Sequence, residues 1–381
     1  MNRSMTLALL VGAASFGVAC EQKAPNDAAK ADAGSSSEKY VTADSKLTKA
    51  LQTAASSAPA ADNGPPPAGV FPAGAADQRH RRGLPTKVEW VSDGAEPRIS
   101  LGGGSDGGAW SLAGSLGPAL LEIGLQVGPR VALPTIDLAV SLGAGKSANA
   151  ESLALLADVK QAVPAKEQLG QLPPEAEHAI GALAGTQVAV QLTADGRESD
   201  ADYRLSKTAP PDLDRFGELA SQILVLATVP QPPRPVGVGA QWIAETRMAW
   251  SGIDVLAYRA FRVKSIDGTR LTLEVDVKAY AADPNTELQG VPKGATMEQF
   301  DGQAQGELEV VRGEVLARRF DVEQRVVMVF RPPPSAAPAE PSPGRPEGNM
   351  LTAQLGGQAK MVRGDDLRAA PRRRSDARDL R

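Results

Sequence analysis

Polar and apolar residues alternate with a period of two through the second half of the chain. Within residues 271–278 the odd positions are Leu, Leu, Val and Val, whereas the even positions are Thr, Glu, Asp and Lys. Such alternation predicts antiparallel strands with one face on a core and the other in water. Residues 242–250 and 253–265 alternate likewise, and Asp267-Gly268 predicts a hairpin turn. The segment 236–331 is therefore predicted to be a β-meander.

Other alternating segments predict further strands within that meander and on both sides of it. They are residues 87–92, 97–101, 109–117, 120–127 and 131–140, a hairpin of 187–194 with 197–205, the pair 302–311 and 314–330, and a final strand at 350–362.

Three segments instead show features of helices. Residues 150–163 and 211–228 repeat apolar residues at helical spacing, and residues 174–184 start with Pro in the first turn and end at a Gly. The clearest apolar stripe is Leu213, Phe216, Leu219, Ile223 and Ala227. We therefore expect an α+β fold that is mainly antiparallel β: a curved sheet or partial barrel with two or three helices packed on one face.

The first 20 residues carry a short positive start and about 14 apolar or small residues, which is the length of a signal-peptide core. They end in Gly17-Val18-Ala19-Cys20, which resembles the lipobox of bacterial lipoprotein precursors. The resemblance implies cleavage before Cys20 and lipid attachment to it. Cys20 is the only cysteine, so it has no intramolecular disulfide partner. The alternative is a secretory peptide with an incidental cysteine.

Composition divides the rest of the chain. Residues 21–85 are rich in Ala, Ser, Pro and Gly and predict a disordered tether, including the basic run Arg79-His80-Arg81-Arg82. The body is 86–362, with a helix-containing part at 86–229, the meander at 236–331 and a disordered Pro-rich insertion at 332–346. An Arg-rich disordered tail, 363–381, follows. The formal net charge is −4, which argues against a nucleic-acid partner.

Two short motifs resemble a family of uncharacterised bacterial lipoproteins. The first is Gly94-Ala95-Glu96-Pro97-Arg98, and the second is the stretch 235–242, PVGVGAQW, which heads the meander. Together with the lipobox and the low-complexity spacer, they are similar to the myxobacterial-type family with a DUF6263-like domain. The resemblance spans about residues 87–362 and implies a mostly antiparallel β fold with a few helices. It implies no established activity.

Few residues offer catalytic or metal chemistry. The chain has two histidines, His80 in the predicted tether and His178 on the short helix, and no cysteine besides Cys20. Residues 102–107 and 143–147 only partly match nucleotide-binding glycine motifs, because the first lacks a helix start and the second lacks the first glycine. We predict no catalytic residue, no metal and no cofactor.

Two sets of residues remain as weak binding candidates. Asp195, Glu198, Asp200 and Asp202 could hold calcium, although a solvated hairpin face explains them better. Trp242, Trp250 and Phe261 could line a ligand groove, although core packing explains them better.

These observations predict an exported, lipid-anchored envelope protein. We expect it to lie at the outer membrane, since Glu21 replaces the Asp that marks inner-membrane retention in enteric bacteria. Its membrane partner would be the bilayer, reached through Cys20, and its activity would be non-enzymatic binding or scaffolding of an envelope protein. The alternative is a carrier or sensor of an apolar ligand, held in a concave sheet under a helical lid as in lipoprotein-trafficking chaperones.

Overall fold

The computed structural model describes most of the body of the chain. The described residues are 66–102, 110–116, 119–124, 130–146, 152–168, 170–193, 195–210, 213–250, 252–288, 291–333 and 350–364. They all belong to one compact unit, 44–381, whereas the other unit, 1–43, lies outside them. The predictions for the signal peptide, for residues 21–65 of the tether, for most of the Pro-rich insertion and for residues 365–381 of the Arg-rich tail also fall outside the described residues, whereas Arg363, the first residue of the predicted tail, belongs to a strand.

Fourteen strands and three α-helices make up the described part of the unit. The helices are α1 (Ala75–Arg79), α2 (Pro174–Gly181) and α3 (Asp214–Ala227), with a 3₁₀ turn at Lys166–Gln168. The first eight strands are β1 (Lys87–Ser92), β2 (Trp110–Leu116), β3 (Ala119–Gly124), β4 (Arg130–Leu133), β5 (Ile136–Lys146), β6 (Ser152–Pro164), β7 (Gln187–Thr193) and β8 (Glu198–Arg204). The others are β9 (Gln241–Trp250), β10 (Ile253–Asp267), β11 (Arg270–Ala281), β12 (Thr296–Val311), β13 (Arg319–Arg331) and β14 (Leu351–Arg363).

The strands form one curved, open sheet. Its main path runs β1-β9-β10-β11-β12-β13-β14-β2-β5-β6-β7-β8, and β3 joins β14 to β4. Every ladder between these strands is antiparallel. The predicted fold class, α+β with a mainly antiparallel curved sheet, is confirmed.

Helix α3 packs on the inward face of the sheet, as its apolar stripe predicts. Residues 223–227 are all buried, and they share one core cluster with the inward side chains of β9 to β13. The helix contacts β7, β8 and β9, so it lies beside both ends of the sheet path.

The helix predicted at 150–163 is wrong, because this segment is strand β6. Its Leu and Ala residues favour helix, but pairing with β5 and β7 on both sides overrides that preference. Leu155, Ala157 and Val159 are buried at strand spacing, whereas Leu156 is 45% exposed. A bulge at Lys160 shifts the inward positions to Ala162 and Pro164. Because the alternation of apolar residues breaks at this bulge, the sequence pattern does not predict a strand here.

The tether prediction is also wrong for residues 66–85, which pack on the outward face of the sheet. Phe71, Ala76 and His80 are buried there. Phe71 and Ala76 form a second apolar cluster with Ile243, Leu256, Tyr258, Ala260 and Ala282. Because this segment covers β9 and β10, those strands are buried on both faces, and the predicted wet face begins only at β11.

The two motifs that carry the family resemblance contact each other. Ala95 N–H donates to Val238 O and Gly237 N–H donates to Asp93 O, at 2.8 and 2.9 Å. The approach is so close that a Cβ on Gly237 would lie 1.7 Å from Ala95 O. The strand predicted at 97–101 is reduced here to a single bridge between Ile99 and Val236.

Candidate functional site

The two ends of the sheet path approach each other at one point, which we call the seam. Strand β1 is the first strand of the path and β8 is the last. Thr86, directly before β1, donates its backbone N–H to Glu198 O at 2.8 Å and its hydroxyl to the same oxygen at 3.0 Å. Pro85 precedes Thr86 and has no amide hydrogen, so it cannot donate to a ladder at this position.

A buried ion pair lies on the inward side of the seam. Arg259 of β10 contacts Glu198 of β8, and the two residues are 0% and 2% exposed. The Glu198 carboxylate also accepts hydrogen bonds from the hydroxyls of Thr246, at 2.8 Å, and Thr228, at 3.3 Å. The pair therefore joins the two sheet ends by charge as well as by hydrogen bonding.

Arg259 also holds the end of helix α3. Its Nη1 donates to Val225 O at 2.8 Å and to Thr228 O at 3.2 Å, which are carbonyl groups at the C-terminus of the helix. Val225 O also accepts from the backbone N–H of Thr228 at 3.1 Å and from its hydroxyl at 2.7 Å. A cation at this end of the helix complements the helix dipole. Burial lowers the pKa of Arg259. Since the Glu198 carboxylate is occupied by a guanidinium and two hydroxyls, this network is suited to fixing the fold and poorly suited to proton transfer.

A small cleft that is partly open to solvent lies next to the seam. Its walls come from the first half of β8 and the last half of β9, and its floor comes from α3. The lining residues are Arg82, Glu198, Ser199, Asp200, Ala201, Ser221, Gln222, Val225, Thr246, Arg247, Met248 and Ala249.

The cleft floor contains a polar atom with no partner. Gln222 is 1% exposed, its Nε2 donates to Gln324 Oε1, and its own Oε1 accepts no hydrogen bond from any described residue. A buried acceptor of this kind is unfavourable unless something donates to it. The cleft is therefore the candidate binding site.

The three predicted groove residues do not line this cleft. Trp242, Trp250 and Phe261 are each 0% exposed. Trp242 stacks on Phe261 with ring centres 5.3 Å apart and donates its Nε1–H to Pro230 O at 3.1 Å. They are core residues in this structure, so the weak ligand-groove prediction does not identify the site.

The weak calcium candidates are not brought together either. Asp195 pairs with Arg197, and Glu198 turns inward to Arg259. Asp200 and Asp202 instead accept from backbone amides of their own strand. Among the described residues, no group of three or more His, Cys, Asp or Glu side chains could hold a metal ion.

Sequence reasoning missed Arg259, although the sequence carries a signal for it. In the alternation of residues 253–265, Val255, Ala257, Phe261 and Val263 share one face, and position 259 has the same parity. A charged residue at an inward position of a buried strand predicts a buried partner.

Comparison with known proteins does not assign this chain to a family. No protein-family model and no curated protein matches the chain. None of the helices in the described part of the chain has the length and hydropathy of a membrane span. By structure alone, the described residues belong to the class of open antiparallel sheets that pack a helix of the same chain on their inward face. This sheet has a polar cleft at its seam.

Proposed function

We propose that this chain is an exported, lipid-anchored envelope protein that acts by binding a partner and not by catalysis. The lipobox-like sequence ending at Cys20 supports the anchor. The seam supports a binding role, because its one buried carboxylate is neutralised by Arg259 while the neighbouring cleft retains an unpaired acceptor.

The observation that carries the proposal is the position of α3. Its residues Val225, Leu226 and Ala227 are at most 2% exposed and pack with the inward side chains of the meander. The inward face of the sheet is thereby filled by the protein itself. A partner would accordingly bind at the cleft, which is open to solvent.

The carrier function would require α3 to leave that position and expose its apolar side. Native mass spectrometry of the full chain, extracted from membranes in mild detergent, separates the two functions. We expect the mass of the lipidated polypeptide alone. A further apolar molecule that co-purifies and resists exchange for detergent would refute the proposal in favour of the carrier.

Lipid attachment can be tested by growing expressing cells with an alkyne analogue of palmitate and labelling the protein. We expect label on the wild type and none on Cys20→Ser. The matched control, Cys20→Ser with Ser36→Cys, keeps one cysteine but moves it well beyond the apolar segment, so it should also stay unlabelled. Label on Cys20→Ser would refute the anchor.

A further inference from the structure

We propose that residues 66–80 form a strap that docks on the outward face of the sheet over β9 and β10 and can leave it while the sheet stays folded. The strap lies between Cys20 and strand β1 in the chain, so its release lengthens the connection between the proposed anchor and the body. The function of this release rests on the proposed anchor, whereas the release itself can be measured without it.

Backbone hydrogen bonds hold the start of the strap on β11 and β12. Ala281 N–H donates to Gly69 O at 2.9 Å, and Phe71 N–H donates to Ala281 O at 2.8 Å. Phe300 N–H donates to Ala68 O, also at 2.9 Å. A Cβ on Gly69 would lie 1.8 Å from Phe300 O, so this close contact requires glycine.

Side chains hold the end of the strap on β9 and β10. Arg79 Nη1 donates to Tyr258 Oη at 3.2 Å, and Arg247 Nη1 donates to the backbone oxygen of His80 at 3.3 Å. Arg247 also pairs with Asp77 at 3.3 Å. These contacts belong to single side chains, so they can form and break without disturbing a ladder.

The strap buries few of its residues. Only Gly69, Phe71, Ala76 and His80 are buried between residues 66 and 80. Phe71 is the one large apolar side chain among these four, so little apolar burial offsets the conformational entropy of the segment. Segments with few buried apolar contacts open at a lower free energy than the core. We therefore expect the strap to open before any strand of the meander does.

A short turn joins the strap to the sheet. All five residues of 81–85 are exposed, whereas His80 before them and Thr86 after them are 1% and 0% exposed. Gly83 has φ 79° within this turn. An exposed turn can change its conformation without moving buried groups. Release of the strap is therefore expected to end at Thr86, whose hydrogen bonds to Glu198 O close the seam.

The position of the strap protects strand β1 from a pull on the anchor. Strand β1 is the first strand of the sheet path and pairs only with β9 among the described strands. A pull that reached β1 directly would act on this one ladder and on the seam beside it. Because the strap precedes β1 in the chain, the pull acts first on the bonds of Gly69 and Phe71. Their release adds residues 66–85 to the connection, which is at most about 70 Å of extended chain.

Hydrogen exchange of the full lipidated chain in detergent, resolved to single amides by mass spectrometry, measures the release. The amide hydrogens of Phe71, Ala281 and Phe300 are the reporters, since each bonds across the contact between strap and sheet. We expect them to exchange at least about 10-fold faster than the amides of residues 271–277, which lie in ladders on both sides. Exchange of the reporters in step with residues 271–277 would overturn release as a separate event.

Two glycine variants locate the release at the strap. Gly69 and Gly74 have φ of 73° and 75°, but nothing lies within 4 Å of a Cβ on Gly74. Gly74→Ala carries only the cost of a left-handed alanine and should speed reporter exchange about 5-fold. Gly69→Ala adds the clash with Phe300 O and should speed it about 100-fold, with residues 271–277 unchanged. Equal effects of the two variants, or an equal change within 271–277, would overturn the strap.

Optical tweezers test the order of events under load. The full chain is held in a bead-supported bilayer by its lipid and pulled by a handle at its C-terminus. We expect a reversible step of at most about 70 Å before the sheet unfolds, and a lower force for that step in Gly69→Ala. Unfolding of the sheet with no earlier step would overturn the role of the strap. A chain without lipid would refute the anchor alone, because its free Cys20 thiol can then take the handle and show the same step.

Discussion

Replacing Arg259 by methionine tests whether the seam network holds the sheet ends and α3 together. The substitution keeps an unbranched chain in the core but leaves the Glu198 carboxylate, which is 2% exposed, without its cation. Removing one member of a buried ion pair destabilises a protein by about 3–5 kcal/mol. We expect Arg259→Met to lower the free energy of unfolding by about 4 kcal/mol.

A double-mutant cycle separates the ion pair from the other bonds of Arg259. Glu198→Gln alone should lower stability by about 3 kcal/mol, since it leaves the guanidinium buried and uncompensated. The double variant has no buried charge and loses chiefly the two hydrogen bonds to Val225 O and Thr228 O. At about 1 kcal/mol for each bond, its loss should be about 2 kcal/mol. The expected interaction energy is therefore about 5 kcal/mol, because the single losses sum to about 7 kcal/mol.

Urea unfolding followed by tryptophan fluorescence measures these values, since Trp242 and Trp250 are buried in the same core. Arg262→Met on the same strand is the matched control. Its side chain is 43% exposed and pairs with Glu274 at 3.5 Å, so it should change stability by about 0.5 kcal/mol or less. Losses for Arg259→Met and Glu198→Gln that simply add in the double variant would refute the coupling.

Two further predictions concern the neighbourhood of β1. Gly237→Ala would place its Cβ 1.7 Å from Ala95 O and should lower the free energy of unfolding in urea by about 3 kcal/mol. The control Gly239→Ala, at φ 83° with open space around it, should lower it by only about 1 kcal/mol. Equal losses in the two variants would contradict the predicted clash. Burial alone would raise the pKa of Glu245, but His80 and Lys87 hold it below its ordinary value of 4.5. A carboxylate with a depressed pKa contributes stability above pH 4.5 that is lost as the pH falls through its folded value. The urea midpoint should thus fall less between pH 7 and about 3 in Glu245→Gln than in the wild type, and an equal fall would exclude this contribution.

The inward faces of the meander could be predicted because nothing interrupts their alternation. In β11 the buried positions are the odd ones from Leu271 to Ala281, as the period of two requires. Helix α3 was predictable for the same reason at its own period. In both cases one local pattern agrees with the tertiary contacts.

Other elements could not be predicted from the sequence, because tertiary contacts determine their structure. Strand β6 contains a bulge at Lys160 that breaks its alternation, and its composition favours helix until β5 and β7 flank it. Residues 66–85 resemble a linker in composition, and only the apolar outward residues of β9 and β10 explain why Phe71 and Ala76 are buried. The candidate site depends on such long-range contacts throughout, since Glu198 and Arg259 lie 61 residues apart.

At the seam, the two ends of the sheet path are joined at one point, although no ladder between described strands connects them. Thr86 closes the ends through Glu198, and Arg259 ties that contact to the C-terminus of α3. One residue earlier, Pro85 has no amide hydrogen with which to continue the pairing, and β1 begins only at Lys87. Beyond that point no ladder joins β8 to β9 among the described strands. The two ends of the sheet path are therefore joined by Thr86 and by the buried ion pair, and not by a continuous ladder.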